Sequence, residues 1–353
     1  MNTDDMSARG QREFRRGAWC VVREQLRART AEVTHHAPRT TPLSLLLTAL
    51  FLHTFAAVSL PAATLIYRTG FEGHEGYNTN LSLSGQNGWI HEGTGGNGVV
   101  VEFIPGAGQS AYIGFGAPTG VDEFLNVWRP VNLAPVPTNL SVITFSVTML
   151  IADSSNGRRD DFRWSFYNTN ANRLFTLDFD NVTEGINYAL DDGGGFVATG
   201  FQFTRGAVHE LTVVLNFPRN RWQAALDGVT LTAPLPITTT NAALNLGDID
   251  AVWAVRTPGS AGDNYLLFDD YQITGEPRLT VPSLLSATRQ PDGFLRLQVQ
   301  AEPATRNAIE VSTNLTQWAA VLTNSAPAGR FDVLDGSPAT LPRRFYRVRV
   351  AEP

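Results

Sequence analysis

The sequence predicts an all-β protein in which an antiparallel jelly-roll β-sandwich is followed by a second, smaller β-sandwich. Short segments alternate apolar and polar side chains, which is typical of half-buried strands. The 353 residues include 31 Gly and 20 Pro but only 17% charged residues, a composition that is typical of turn-rich β proteins. No long amphipathic helix is visible after residue 41. A hydrophobic content of 43% is enough to build a core for each sandwich.

The first sandwich is predicted over residues 64–276. Its segments are separated by turn sequences such as "DDGGG" and "FPRN", in which Gly and Asn accept positive φ and Pro ends a ladder. The predicted strands cover residues 144–151, 161–168, 173–180, 186–191, 196–203, 209–217, 221–229, 248–255 and 265–273.

Alternation along three of these strand regions separates a core face from an outer face. The side chains expected in the core between the two packed sheets are Phe162, Trp164, Phe166, Phe175, Leu177, Phe179, Leu211, Val213, Leu215 and Phe217. Those expected on the outer face are Arg163, Ser165, Tyr167, Thr176, Asp178 and Asp180.

The second sandwich is predicted over residues 277–353, after a linker with the sequence "TGEPRLTVP". About 75 residues suit one small β-sandwich. Its predicted strands cover residues 293–301, 307–315, 318–324, 330–336 and 344–350.

Residues 1–63 are predicted to be a basic extension and a signal peptide. An apolar run from Leu43 to Leu60 follows upstream arginines and precedes small residues at which a peptidase could cut. A single membrane anchor is the alternative, but the run is short for a span and His53 interrupts it. We therefore expect a secreted or cell-envelope protein that contacts a membrane only during export, and whose mature chain begins near residues 60–64.

Charge and cysteine content narrow the choice of partners. Every one of the 27 basic residues is Arg, and eight of them lie in the first 39 residues, which leaves 19 Arg against 28 acidic residues. A nucleic-acid binder would show a basic stripe, so we expect no nucleic acid, whereas neutral glycans and cations are compatible with this balance. The only cysteine, Cys20, lies in the extension, so the rest of the chain can form no disulfide.

Two parts of the sequence resemble known protein families. Residues 64–276 resemble a concanavalin A-like lectin/glucanase jelly roll of the laminin-G type, through the strand succession, "HELTVVLNFPRNRWQAALDGV" and the closing strand "LLFDDYQI". Residues 279–353 resemble the immunoglobulin/fibronectin-III-like C-terminal modules of secreted bacterial proteins, through "VSTNLTQWAAV", "FDVLDG" and "RRFYRVRV". The second resemblance implies that Trp318 is a core aromatic and Tyr346 a corner tyrosine, or that both are ordinary core residues.

Catalytic patterns are weak. Glucanase members of the first family carry a Glu-x-Asp-x-x-Glu strand, because retaining glycosidases need two close carboxylates. Here "DIDAVWAV" has Asp248 and Asp250 and then only apolar residues. The histidines after residue 63 have no metal-ligand spacing. We therefore expect a non-catalytic carbohydrate-binding or adhesion protein rather than an enzyme; an extracellular polysaccharide hydrolase or lyase and a structural envelope protein are the alternatives.

Carbohydrate binding requires exposed aromatic rings on which sugar C–H faces stack, and polar groups for the sugar hydroxyls. The candidates are Trp128 with its neighbour Arg129, Tyr188, and the pair of Arg163 and Tyr167 on the outer face. The alternative for each aromatic residue is an ordinary place in the core.

The stretch "YLLFDDYQITG" places two carboxylates, Asp269 and Asp270, within one predicted strand. Strict alternation sends them to opposite faces, so they are poorly placed to act on one bond. Carbohydrate-binding β-sandwiches similar to this one carry a structural Ca²⁺ between a Glu after the first strand and an Asp on the last, which implies Glu72 and Asp269 or Asp270 as ligands. The alternative is that Arg68 pairs with one aspartate while the other points to water.

Overall fold

The computed structural model describes residues 63–119, 123–279, 282–325, 329–336 and 344–351. The predicted signal peptide and the basic extension before it lie outside the described residues. Among the described residues, no helix is long and apolar enough to cross a membrane.

Fifteen strands are described up to Glu276. In chain order they are β1 (Thr64–Thr69), β2 (Ile90–Gly93), β3 (Asn97–Val101), β4 (Gln109–Gly114), β5 (Phe124–Trp128), β6 (Val142–Ala152), β7 (Asp161–Tyr167), β8 (Arg173–Asp180), β9 (Gly185–Leu190), β10 (Val197–Gln202), β11 (Val208–Asn216), β12 (Arg221–Leu226), β13 (Val229–Thr230), β14 (Asp248–Ala254) and β15 (Tyr265–Glu276). Three 3-10 turns accompany them at Gly73–Glu75, Thr138–Leu140 and Phe217–Arg219.

These strands form two antiparallel sheets. The eight-stranded sheet has the order β13-β12-β11-β6-β15-β4-β3, with β1 paired to β15, and the seven-stranded sheet has the order β10-β9-β8-β7-β14-β5-β2. The inner faces of both sheets contribute to one hydrophobic core, which includes all ten side chains predicted for it. The prediction of an all-β antiparallel sandwich is therefore confirmed. The nine predicted strand regions all contain strands, whereas β2 to β5 were not predicted individually.

The closing strand β15 departs from strict alternation. The β15–β6 pairing slips between Asp269 and Gln272, and Asp270 has a positive φ of 46°. This bulge inserts extra backbone, so Phe268 and Tyr271 both point into the core although three positions separate them. The expectation that Asp269 and Asp270 lie on opposite faces of the strand is therefore wrong, because Phe268 and Tyr271 occupy the core side on either side of the bulge.

Six further strands follow: β16 (Ser283–Arg289), β17 (Leu295–Gln300), β18 (Asn307–Ser312), β19 (Ala319–Asn324), β20 (Arg330–Asp335) and β21 (Phe345–Val350). They form two three-stranded sheets, β16-β17-β20 and β19-β18-β21. A small cluster containing Leu297, Ile309 and Val333 joins the two sheets.

The two aromatic residues singled out in this part of the chain have different environments. Tyr346 packs against the small cluster, and its hydroxyl donates to Asp335 at 2.6 Å. Trp318 does not belong to that cluster; it is half-buried beneath the guanidinium of Arg347, 4.2 Å from the ring centroid. The expectation of Trp318 as a core aromatic is therefore wrong.

Candidate functional site

The outer face of the seven-stranded sheet carries a continuous polar surface. Consecutive strand pairs place side chains of β9, β8, β7, β14, β5 and β2 side by side in one row, in the order Asn187, Asp178, Arg163, Val252, Asn126 and Glu92. A second row lies beside it, in which Asp250 of β14 pairs with Ser165 of β7. Polar side chains from six strands thus share one surface, which we call the polar face.

The centre of the polar face is a pair of carboxyl groups on β14. Asp248 and Asp250 are alternate residues of one strand, so their carboxyl groups point the same way and lie close enough for each to influence the pKa of the other. Asp250 is only 4% exposed, and its Oδ1 is buried without a hydrogen-bond partner. Neither residue has an ion pair with an arginine among the described residues. Asp250 is therefore buried and Asp248 half-buried, and neither has an arginine to compensate its charge in the part of the chain that the structure describes.

Burial determines the protonation of this pair. Loss of solvent, the neighbouring charge of Asp248 and that of Glu92 raise the pKa of Asp250 to about 9. Burial also raises the pKa of Asp248. At neutral pH Asp250 therefore keeps its proton, and it can donate a hydrogen bond as well as accept one.

Aromatic side chains lie on both sides of the acid pair. Tyr167 is paired with Asp248 across β7 and β14, and burial raises the pKa of its hydroxyl to about 12. On the other side, the β14–β5 register pairs Ala251 with Val127, which makes Trp128 the next neighbour of Asp250. Both rings are half-buried, so each keeps an accessible surface.

A cavity of about 560 Å³ opens beside Tyr167. Its wall is mostly polar and includes Asn172, Arg173, Asp191 and Thr240. Asp191 is fixed in the wall by hydrogen bonds from Thr240 and the two threonines before it, and these bonds hold the pKa of its carboxyl well below the usual range. The cavity thus combines an aromatic ring with a cation, an amide, a carboxylate and a hydroxyl in fixed positions.

Three of the five predicted carbohydrate-binding residues lie on the polar face: Arg163, Tyr167 and Trp128. Arg163 is already engaged, because its Nε donates to Asp178 at 2.8 Å and its guanidinium lies 4.8 Å from the ring centroid of Phe196. Its role in the structure is therefore to hold Asp178 and Phe196, and it is less available to a ligand than Tyr167.

The other two predicted residues lie elsewhere. Arg129 packs over the ring of Tyr67 at 4.0 Å and donates to the carbonyl of Asn87. Tyr188 is paired with the core residue Leu177 and therefore points inward, where it meets Trp222 edge-to-face at 6.1 Å. The structure does not bring either of them together with Tyr167 and Trp128.

The predicted calcium ligands divide between two environments. Asp269 is 3% exposed, whereas Asp270 is exposed and accepts a hydrogen bond from Arg68 at 3.2 Å. Burial and the charges of Asp270, Glu72 and Glu75 raise the pKa of Asp269 to about 7. Asp270 is therefore the aspartate that pairs with Arg68, and Asp269 is a buried carboxyl group close to other acidic side chains.

Glu72 lies beside Asp269 in the structure. A Cβ built on Gly70 would be 3.7 Å from Oδ1 of Asp269 and 3.8 Å from Cγ of Glu72, which places both side chains around the same glycine. Glu72 also passes close to Gly108, where a Cβ would be 2.3 Å from its Oε1, and the positive φ of 74° favours glycine at that position. The Oε1 of the neighbouring Gln109 is buried without a partner.

These observations fit a calcium ion, which prefers six to eight oxygen ligands and accepts neutral ones. Glu72 and Asp269 would supply carboxylates, and the partnerless oxygen of Gln109 is a suitable neutral ligand. Oε2 of Glu75 already accepts hydrogen bonds from Thr69 and two backbone amides, so that oxygen is occupied. In the described part of the chain no group of three or more His, Cys, Asp or Glu side chains could hold a metal ion by itself. A bound ion would therefore depend on neutral oxygens.

Sequence reasoning missed several residues of this surface, notably Glu92, Asn126 and Arg173. It did notice Asp248 and Asp250, but only as an incomplete glucanase motif. The available signal was the alternation itself: in "DIDAVWA" the residues Ile249, Ala251 and Trp253 fill one face, so both aspartates must share the other. The residues on β2 and β5 carried no comparable signal, because their strands were not predicted.

Comparison with known proteins gives only structural neighbours. No family model matches the chain, and no curated protein matches it in sequence. A carbohydrate esterase of a Shiga toxin-encoding bacteriophage is 13% identical, with 61% of this chain and 99% of that chain covered at a TM-score of 0.43. Lectin II from Ulex europaeus is 9% identical, with 56% and 100% covered at 0.38. A sialidase is 10% identical at 0.42, and the match covers 61% of this chain but only 19% of the sialidase.

Proposed function

We propose that this is a secreted, non-catalytic carbohydrate-binding protein whose binding site is the polar face of the seven-stranded sheet. The observation that carries the proposal is the buried Asp250, whose Oδ1 has no hydrogen-bond partner among the described residues, in an acid pair that lies between two half-buried aromatic rings, Trp128 and Tyr167. A buried polar atom without a partner is costly, so a hydroxyl group from a ligand would satisfy it.

The chemistry of the polar face suits a neutral sugar chain. Rings such as Trp128 and Tyr167 offer flat surfaces for sugar C–H groups. A protonated Asp250 beside Asp248 can both donate to and accept from sugar hydroxyls. The cavity next to Tyr167 adds Arg173 and Asn172, and its volume of about 560 Å³ falls in the range of small-molecule sites.

The proposal is tested by affinity electrophoresis of the protein in gels that contain one soluble polysaccharide each. We expect retarded migration with at least one neutral polysaccharide, and normal migration of Asp250→Ala in the same gel. Asp192→Ala is a matched control, because Asp192 is an exposed acid outside the polar face. If no neutral polysaccharide retards the wild-type protein, the proposal fails.

We also propose a structural calcium ion at Glu72 and Asp269, which closes the first strand against the last. What supports it is the burial of Asp269 among carboxylates together with the partnerless Oε1 of Gln109. Both are unfavourable for a protein without a cation at this place, because buried charges and polar atoms need partners. Calcium titration of metal-free protein by calorimetry tests it: we expect one binding event, which Glu72→Gln abolishes.

A second candidate function is polysaccharide hydrolysis, and it is favoured by one observation. Asp248 and Asp250 lie on the same face of one strand and burial raises the pKa of Asp250 to about 9, while glycoside hydrolysis uses one protonated and one ionised carboxyl group. A reducing-sugar assay on the polysaccharides that bind separates the two functions. Binding without product supports the non-catalytic proposal, whereas product that disappears in Asp248→Asn supports hydrolysis.

A further inference from the structure

A second cavity, of about 610 Å³, lies between the end of β15, the turn before β12 and the C-terminal strands. Four arginines line it: Arg219, Arg221, Arg278 and Arg306. Most of the remaining wall consists of proline, alanine and valine. We call this cavity the arginine cleft.

Packing fixes the segments that carry these arginines. The loop before Arg306 is anchored to the eight-stranded sheet, because Asn216 Nδ2 donates to the carbonyl of Pro303 at 3.2 Å. Ala304 in the same loop is fully buried in a cluster with Val142 and Val214. The wall that holds Arg306 therefore has a defined position relative to the sheet that holds Arg221.

The cleft contains more positive than negative charge. Glu302 is fully buried and accepts from Nε of Arg219 with one oxygen and from Nε of Arg278, at 3.0 Å, with the other. The guanidinium group of Arg221 donates to the backbone carbonyl of Asn220 at 3.2 Å and has no ion pair within the described ranges. Arg306 has no ion pair within the described residues. Among the residues that the structure describes, the carboxylate of Glu302 thus faces four guanidinium groups, in a chain with a formal net charge of −6.

We propose that the arginine cleft binds a sugar acid, with the sugar carboxylate held by the guanidinium groups of Arg221 and Arg306. A guanidinium group binds a carboxylate through two parallel N–H donors, which gives strength and orientation. A volume of about 610 Å³ exceeds that of a single ion and falls in the range of small-molecule sites. None of the described residues that line the cleft is aromatic, which disfavours stacked nucleotide bases.

The inference does not depend on the proposed glycan site, because the polar face and the arginine cleft share no residue. It also changes the expectation drawn from net charge. The overall excess of acids disfavours anionic partners, yet the fold concentrates four arginines in one place. Local charge therefore decides what this cleft can bind.

Isothermal titration of the full-length protein with trigalacturonate tests the proposal. We expect binding that weakens as salt is added, and that Arg306→Gln weakens about tenfold because one charge-assisted contact is lost. Arg289→Gln is the matched control, since it removes the same charge from an exposed position at the end of β16. Because Arg306 is exposed, its replacement should leave the melting temperature unchanged.

Three further titrations, two with other ligands and one with another variant, can overturn the proposal. Neutral trigalactose that binds as tightly as trigalacturonate would show that the carboxylates are not recognised. Inorganic sulfate that binds as tightly would reduce the cleft to a simple ion site. The titration is repeated with Glu352→Gln, which removes the acidic side chain that follows Ala351 in the sequence; we expect binding at least as tight, and a loss of binding would contradict the proposal.

Discussion

Two pairs of aspartates lie on two strands of this protein, one pair on adjacent residues and the other on alternate residues. The surroundings of the two pairs are different. Asp269 and Asp270 are adjacent at a bulge of β15. Asp270 forms an ion pair with Arg68, whereas Asp269 is buried beside Glu72. Asp248 and Asp250 alternate on β14 and share a face, and no arginine of the described part of the chain pairs with either of them.

The comparison shows that strand geometry decides what a pair of acids can do. Alternate residues on a regular strand point the same way and can share a proton, whereas the bulge on β15 leaves one of the two adjacent aspartates buried and the other exposed to an arginine. The first arrangement is suited to hydrogen bonding with a ligand, and the second to one ion pair and one metal ligand. The predictions below test this division of roles, from the largest expected effect to the smallest.

The largest effect is expected for calcium removal at Asp269. EDTA should lower the free energy of unfolding by about 3 kcal/mol, because an ion that binds only the folded state at a hundred times its Kd contributes this much. The shift in melting temperature measures it. Glu72→Gln should lose the EDTA response, and Asp270→Asn should keep it because Asp270 pairs with Arg68. An EDTA response in neither the wild type nor Asp270→Asn would remove the calcium proposal.

The acid pair on β14 should make stability depend on pH. The pKa of Asp250 is raised in the folded state, so the folded protein holds a proton that unfolding releases. The stabilising contribution is complete below pH 4 and is lost as pH rises towards 9. Between pH 5.5 and pH 8 we expect the wild type to lose roughly 2 kcal/mol more than Asp250→Asn in urea unfolding, since each unit of pH changes the free energy by up to about 1.4 kcal/mol.

Asp192→Asn serves as the control for this measurement, because it removes an exposed acid from the same sheet region. It should follow the wild type across the whole pH range. Identical pH profiles for the wild type and Asp250→Asn would contradict the assignment of a proton to the buried acid.

The smallest effects are expected for Arg68→Gln and Asp270→Gly at the exposed ion pair, and Asp270→Val serves as their strained counterpart. Arg68→Gln should change the free energy of unfolding by less than about 1 kcal/mol, since both partners of the Arg68–Asp270 pair are well exposed. Asp270→Gly should be equally mild, because glycine adopts the positive φ of the bulge readily. Asp270→Val should cost more, roughly 1–3 kcal/mol, because a β-branched residue is strained there. Equal stability of the Gly and Val variants would show that the bulge is not maintained.

The sequence was sufficient for the all-β fold and the core, because apolar residues alternate strongly from Phe162 to Ile273. The sequence was not sufficient to predict which way the side chains around Asp269 point. The bulge there is stabilised by pairing between distant strands and is not visible in the alternation of apolar and polar residues. Tyr188 was misplaced for a similar reason: its segment fits a strand in either phase, and only pairing with Leu177 fixes its inward direction.

The candidate site was recoverable in part. Tyr167 and Trp128 were chosen as aromatic residues, and the structure brings them to opposite sides of Asp250. Asp250 stands outside any complete family motif in the sequence, although alternation with Ile249 and Ala251 predicts its direction. The burial of Asp250 and the unsatisfied state of its Oδ1 depend on side chains of the neighbouring strands. The local sequence does not encode which strands become neighbours.

The central claim is that the polar face binds carbohydrate through its aromatic rings. The most direct test is the dissociation constant of Trp128→Ala, beside wild type and Phe103→Ala, for the neutral polysaccharide that retards the protein most. Phe103 is an exposed aromatic outside the polar face and is the matched control. We predict about a tenfold rise in the dissociation constant for Trp128→Ala, the loss of one ring contact, and no change for Phe103→Ala. Unchanged binding by Trp128→Ala at an unchanged melting temperature would contradict the account.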